Sequence, residues 1–192
     1  MTVEALAALV IDACESEGVE HMVTGAFAVS FYGIPRSTKD VDVVISLSGG
    51  SAIERIVARL DPIVLFDPQI QFDTLTWGKR QVGKSREAPP FKVELFELFD
   101  DPFVMAQFAR KRQLHSAQLA RTAWLPTPED VVVQKLRWGR NKDLDDAHDV
   151  LAVLRVVPGE WRCCPCVDCR PNLRAWQRST TLRRCAANHG PR

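Results

Sequence analysis

VTGAFAVSFYGIPRSTKDVDVVI, residues 23–45, sets two carboxylates, Asp40 and Asp42, at the head of an apolar, β-branched run. The run KDVDVVISL (39–47) reads as a strand. Side chains two apart on a strand point the same way, so Asp40 and Asp42 share a face. Two like charges about 4 Å apart repel by roughly 4 kcal/mol at an effective dielectric of 20. A fold answers such a cost with a metal ion, a cation or a shared proton. The plainer alternative is a solvated strand edge with salt bridges to Lys39 or Arg36. Context favours a cation site. A short strand, HMVTG (21–25), enters a glycine turn just upstream, and AFAVSFYG (26–33) fits a short helix stopped by Gly33 and Pro35.

A third carboxylate stands on another strand. FKVELFEL (91–98) alternates, with Lys92 and Glu94 on one face. Three carboxylates supply oxygen-only ligands, the set that suits Mg²⁺ with water and nucleotide phosphates completing its shell. Such a site activates a hydroxyl for attack on a phosphate.

The remaining pattern is mixed. Helical periodicity covers 3–17, with Leu6, Leu9, Val10 and Ala13 on one stripe. It recurs over 49–60, with Ile53, Ile56, Val57 and Leu60 expected to face inward. Residues 61–90 suggest one or two irregular strands and a polar loop, GKRQVGKSREAPP (78–90). Asp101 and Pro102 open a helix over 101–111, and 112–125 reads as extended. TPEDVVVQKLRWG (127–139) has Thr at its N-cap and acids at its positive end. DLDDAHDVLAVLRV (143–156) carries Leu144, Ala147, Leu151 and Leu154 on one stripe. Trp77, Trp124 and Trp138 are expected to be packing residues, and His115 and His148 receive no role. The fold class is α/β (α+β): a small mixed β-sheet flanked by helices, with a C-terminal helical hairpin.

Composition limits the partners. The net charge of +1 over 192 residues gives no global case for nucleic acid, so any such surface is local. The N-terminus reads as neither signal peptide nor membrane span, which implies a cytoplasmic protein with no membrane partner. Cys14 is the only cysteine before residue 163, so the main body has no disulfide framework. Residues 161–192 differ: five of the six cysteines and seven arginines crowd there, with no Glu, Lys, Ile or Met. Cys166, Cys169, Cys185 and His189 have acceptable zinc-ligand spacing. The same Cys, Arg, Trp and Pro composition is what a GC-rich gene yields out of frame, and we read the segment as a frameshifted, poorly packed tail. The expected organisation is one domain over 1–160 and an atypical tail over 161–192.

The stretch 23–45, with its strand, glycine turn, short helix and D-x-D strand, resembles the first motif of the nucleotidyltransferase (polymerase-β-like) superfamily. FKVELF (91–96) looks like its third-carboxylate strand. TPEDVVVQKLRWGRNKDLDDAHDVL (127–151) resembles the helical hairpin of the AbiE-type toxin branch, which includes the MenT-type toxins. The resemblance spans about residues 20–155 and implies the nucleotidyltransferase fold. It further implies that Asp40, Asp42 and Glu94 hold Mg²⁺ and that Gly25 and Ala26 let the backbone approach the triphosphate. Arg36 and Lys39 would bind phosphate at the rim. Lys135 would reach nucleotide phosphates, and Asp143 or Asp146 would orient Lys135 or the attacking hydroxyl. Ala26 stands where the family usually has Ser or Gly, and Glu94 where Asp is common. Read from the residues alone, Lys135 and Arg137 equally fit a solvated helix face, and Asp143 an N-cap.

The implied reaction is Mg²⁺-dependent transfer of an NMP from an NTP to an acceptor hydroxyl. RNA such as the 3′ end of tRNA, or a protein, is the acceptor, and the enzyme would be a toxin paired with an antitoxin. A rival from another class is a non-catalytic nucleotide-binding or antitoxin-type module with the same fold. Phosphoryl rather than nucleotidyl transfer is a third reading of the same carboxylates.

Overall fold

The computed structural model describes residues 1–47, 51–74, 77–87 and 90–156, with the backbone alone at 155 and 156. The zinc and frameshift readings of 161–192 fall outside the described residues. The chain divides into two compact units: Met1–Phe31 with Pro35–Thr127, and Tyr32–Ile34 with Pro128–Arg192.

In the first unit, apolar residues of period two build the sheet. Among the described residues six strands form it, in the order β1-β2-β6-β5-β3, with β4 also on β5. The strands are β1 (His21–Val23), β2 (Asp40–Ile45), β3 (Val64–Phe66), β4 (Gln71–Asp73), β5 (Gly78–Ser85) and β6 (Lys92–Glu97). Only β2 and β6 run parallel, opposing Asp40 to Lys92, Asp42 to Glu94 and Ile45 to Glu97. Val41, Val43, Ile45, Val93 and Leu95 fill one face and are all fully buried. That burial fixes the register, because a slip of one residue would turn the whole set outward.

Helix α1 (Val3–Ser16) buries Leu6, Ala7, Val10 and Ile11. Thr2 caps it, its hydroxyl accepting from the Ala5 N–H at 3.2 Å. Helix α2 is Gly25–Tyr32 and α3 is Ala52–Leu60. Helix α4 (Pro102–Ala109) starts as expected, with the Asp101 carboxylate accepting from the N–H groups of Phe103 and Val104 at 3.0 and 2.9 Å. Its Phe108 packs with Met22, Val44 and Phe96 over one end of the sheet's second face. The extended 112–125 is a hairpin, β7 (Arg112–Ser116) with β8 (Arg121–Leu125). In the second unit, α5 (Pro128–Trp138) and α6 (Asn141–Val156) form the expected helical hairpin, with Gly139 at φ +68 ending α5.

Four expectations are corrected. The polar loop at 78–90 is mostly β5, an interior strand; its Lys and Arg heads and two glycines hide the apolar alternation that marks a strand. On α3 the buried residues are Ala52, Ile56 and Leu60. Ile53 and Val57 instead line a cavity of about 340 Å³ with Glu54, Ile70, Gln81 and Glu97. On α6 the buried stripe is Asp143, Asp146, Ala147 and Val150; Leu144 and Leu151 lie beside it. Trp77 is 72% exposed, edge-on to Phe72, and is no packing residue.

Gly83 is where β3 closes on β5. A Cβ there would lie 2.6 Å from Val64 Cγ1 and 2.7 Å from the Phe66 ring. Gly83→Ala is expected to cost about 1–3 kcal/mol by overpacking, read as a lower urea midpoint. An unchanged midpoint would contradict this packing.

Candidate functional site

The second face of the sheet, beyond the cover of Phe108, carries the charges. Residues in register share a face, so Asp40, Lys92 and Lys84 form one row across β2, β6 and β5, and Asp42, Glu94 and Val82 the next. The same valines that form the core on one side deliver acids to the other.

Gly25 closes on this face at the start of α2. Its φ is +62, a conformation that favours glycine. A Cβ there would stand 1.9 Å from Asp42 Oδ2. The Thr24 N–H donates to the Asp42 carbonyl at 2.9 Å, which pins turn and strand together. Ala26 follows within α2, and Arg36 and Lys39 are exposed on the segment entering β2. Thr38 Oγ1 accepts from the Asp40 N–H at 3.2 Å and fixes the strand's start.

Glu94 is buried, and both of its oxygens face cations. Lys92 Nζ stands 2.7 Å from Oε1, and Arg80 Nη1 donates to Oε2 at 3.1 Å. The same Lys92 ammonium lies 3.7 Å from Asp40 Oδ1, and Arg80 also reaches Asp73 at 3.4 Å. Burial pulls the Lys92 pKa down, but the Glu94 hydrogen bond and the charges of Glu94, Asp40 and Asp42 outweigh it. The ammonium is held above its ordinary value.

Among the described residues, no three His, Cys, Asp or Glu side chains come together as metal ligands would. Asp40, Asp42 and Glu94 share the face that the sequence predicts, yet Glu94 is turned to Lys92 and Arg80. The Lys92 ammonium lies against two of these carboxylates, Glu94 and Asp40, so the face accommodates positive charge. Hard carboxylate oxygens and a glycine cradle beside Asp42 fit a divalent ion of the Mg²⁺ type. Sequence reasoning assigned no role to Lys92, although a Lys two before a Glu on a strand was a legible signal. Arg80 lies in β5, whose polar sequence reads as a loop.

The second unit brings Lys135, Asp143 and Asp146 together. Lys135 Nζ lies 3.2 Å from Asp143 Oδ1 and 2.8 Å from Asp146 Oδ2. Arg140 Nε lies 2.5 Å from Asp143 Oδ2, and the Trp138 ring lies under both cations. Lys135 is 5% exposed, so it is no solvated face residue, and Asp143 sits inside α6 rather than at its cap. Burial alone would raise the Asp143 pKa. Arg140 and Lys135 overcome that and hold it below its ordinary value of 3.8.

The sequence matches no family model and no curated protein. Solved structures share the fold. An antigenic nucleotidyltransferase-like protein from Paracoccidioides brasiliensis superposes with a TM-score of 0.59 at 17% identity, over 96% of this chain and 85% of that one. The antibiotic-resistance factor ANT(2'')-Ia in solution gives 0.56 at 10% identity, over 97% of each chain. Its crystal structure in complex with adenylyl-2''-tobramycin gives 0.54 at 10%, over 79% and 88%. The chain therefore has the nucleotidyltransferase fold. Among the described residues no helix is long and apolar enough to cross a membrane.

Removing one partner of a buried ion pair costs about 3–5 kcal/mol. Lys135→Met is expected to lower hydrogen-exchange protection of α5 and α6 by about 3 kcal/mol, the low end because Arg140 stays on Asp143. A depressed carboxylate stabilises above its unfolded pKa. The Asp143 contribution is thus complete above pH 3.8 and is lost as pH falls through the lower folded value. Exchange that is insensitive to both changes would contradict the triad.

Proposed function

We propose that the chain is a metal-dependent nucleotidyltransferase. The observation that carries this reading is the register of β2 on β6, which sets Asp42 opposite Glu94 and against the Gly25 turn, with Asp40 on the same face opposite Lys92. An acceptor hydroxyl attacks the α-phosphate of an NTP, the new O–P bond forms, pyrophosphate leaves, and the hydroxyl proton is released. Asp40 and Asp42 would hold Mg²⁺, with Glu94 as a third carboxylate once Lys92 yields its Oε1. Bound there, the ion neutralises phosphate charge and favours the deprotonated hydroxyl.

The chain's own residues do the rest. Gly25 and Ala26 offer backbone N–H groups and close approach to the triphosphate, free of a Cβ at the turn. Arg36 and Lys39, exposed before β2, meet phosphate at the rim. In the second unit Asp143 and Asp146 position Lys135, whose charge is assigned to nucleotide phosphates. Similarity to the AbiE-type and MenT-type toxin branch points to an RNA acceptor, such as the 3′ end of tRNA, or to a protein hydroxyl. It also favours a cytoplasmic toxin with a cognate antitoxin. A non-catalytic module of the same fold is the second reading, favoured by the Lys92 and Arg80 ion pairs on Glu94.

Incubation with Mg²⁺, total RNA or protein, and each NTP labelled at the α- or γ-phosphate separates these readings. The expected result is α-label in the acceptor, reduced about 100-fold or more in Asp42→Ala and Gly25→Ala. Transfer of γ-label would establish phosphoryl transfer, and nucleotide binding without transfer would establish the module.

A further inference from the structure

We propose that Lys92 is a tethered counter-cation that occupies the metal position of the carboxylate face, so that a divalent ion binds only by displacing it. The inference rests on the metal-dependent reading above and concerns what the chain does before the metal arrives.

Position is the first argument. Lys92 is two residues from Glu94 on β6 and directly across from Asp40 on β2. Its ammonium therefore bridges acids on two strands, 2.7 Å from Glu94 and 3.7 Å from Asp40. Asp40 is one of the two acids assigned to the metal, and Glu94 is the third carboxylate of the same face.

Division of labour is the second. Glu94 has two cationic partners, and they differ in freedom. Arg80 is the better fixed: its side chain is 25% exposed, it reaches Asp73 as well, and its guanidinium lies over the Phe96 ring. Lys92 is 37% exposed and ends a flexible four-carbon stem. If the ammonium swings out to water, buried Glu94 keeps Arg80 on Oε2 and is never left with a bare charge. The pair is built so that one cation stays while the other leaves.

Charge is the third. Lys92 offers one positive charge to the face, and a divalent ion offers two. The exchange increases the Coulomb attraction to the acids for a divalent ion and leaves it unchanged for a monovalent one. Without metal, the acids that would repel one another are held quiet by the chain itself.

The test measures Mn²⁺ binding to the full chain without nucleotide, by the loss of the free-ion electron paramagnetic resonance signal. If the vacated cluster is populated about one-tenth of the time, Lys92→Met gains about tenfold in affinity. Lys92→Arg retains the cation and stays near the unsubstituted protein. Lys84→Met removes the same charge from the adjacent, exposed position of the same row, and changes affinity less than about twofold if displacement rather than general field is the cause. Asp42→Asn abolishes binding in the Lys92→Met background. Circular dichroism melting confirms that each variant is folded. Equal Mn²⁺ affinity in the unsubstituted protein and Lys92→Met, or an equal gain in Lys84→Met, overturns the counter-cation role alone. Absence of binding in every variant overturns the counter-cation role, and absence that persists when a non-hydrolysable nucleoside triphosphate is added overturns the metal-dependent reading with it; binding that survives Asp42→Asn overturns both.

Discussion

The parallel pairing of β2 with β6 is the constraint on which the first unit depends. It places Asp42 opposite Glu94 and Asp40 opposite Lys92 on one face, and Val41, Val43, Val93 and Leu95 on the other. The apolar face cannot slip without exposing its valines. Hydrophobic burial therefore sets the spacing of the charged groups, although none of the charged side chains takes part in it. The Gly25 turn fits only because this register brings Asp42 against a residue that has no side chain.

Concentrated negative charge is answered the same way in both units. On the sheet, Lys92 and Arg80 hold Glu94. In the helical hairpin, Lys135 and Arg140 hold Asp143, and Lys135 also holds Asp146. The two solutions differ in burial. Lys135 is nearly sealed, so its pairs are costly to break. Lys92 is over a third exposed, where an ion pair contributes about 0–1 kcal/mol. Of the two lysines, Lys92 is therefore the one that can move more cheaply.

Much of this was legible in the residues. The alternation of β2 and β6 gave their facing side chains, Asp101 and Pro102 marked the start of α4, and Gly25 marked the turn. The failures share one physical origin, polar atoms doing the work of apolar ones. The interior strand β5 has Lys79, Arg80, Gln81 and Lys84 where a sheet core usually has valine. Its place is secured by ladder hydrogen bonds and by Gly83 packing under Val64 and Phe66. Helix α6 turns Asp143 and Asp146 inward, because Lys135 and Arg140 compensate them. A hydrophobic stripe therefore misjudges its buried face by part of a turn. Because β5 carries no apolar alternation, its sequence does not place Arg80 on the strand beside Glu94, and the engagement of the third carboxylate is not legible.

The central claim is that the Asp40–Asp42 face binds a divalent ion beside a nucleoside triphosphate. Crystals grown with Mn²⁺ and a non-hydrolysable nucleoside triphosphate test it directly through anomalous scattering. The account predicts an anomalous peak between the Asp40 and Asp42 carboxylates, with the triphosphate against the Gly25 turn and the Lys92 ammonium withdrawn from Asp40. A bound nucleotide whose Mn²⁺ lies away from both aspartates, or with Lys92 still seated among the acids, would contradict it.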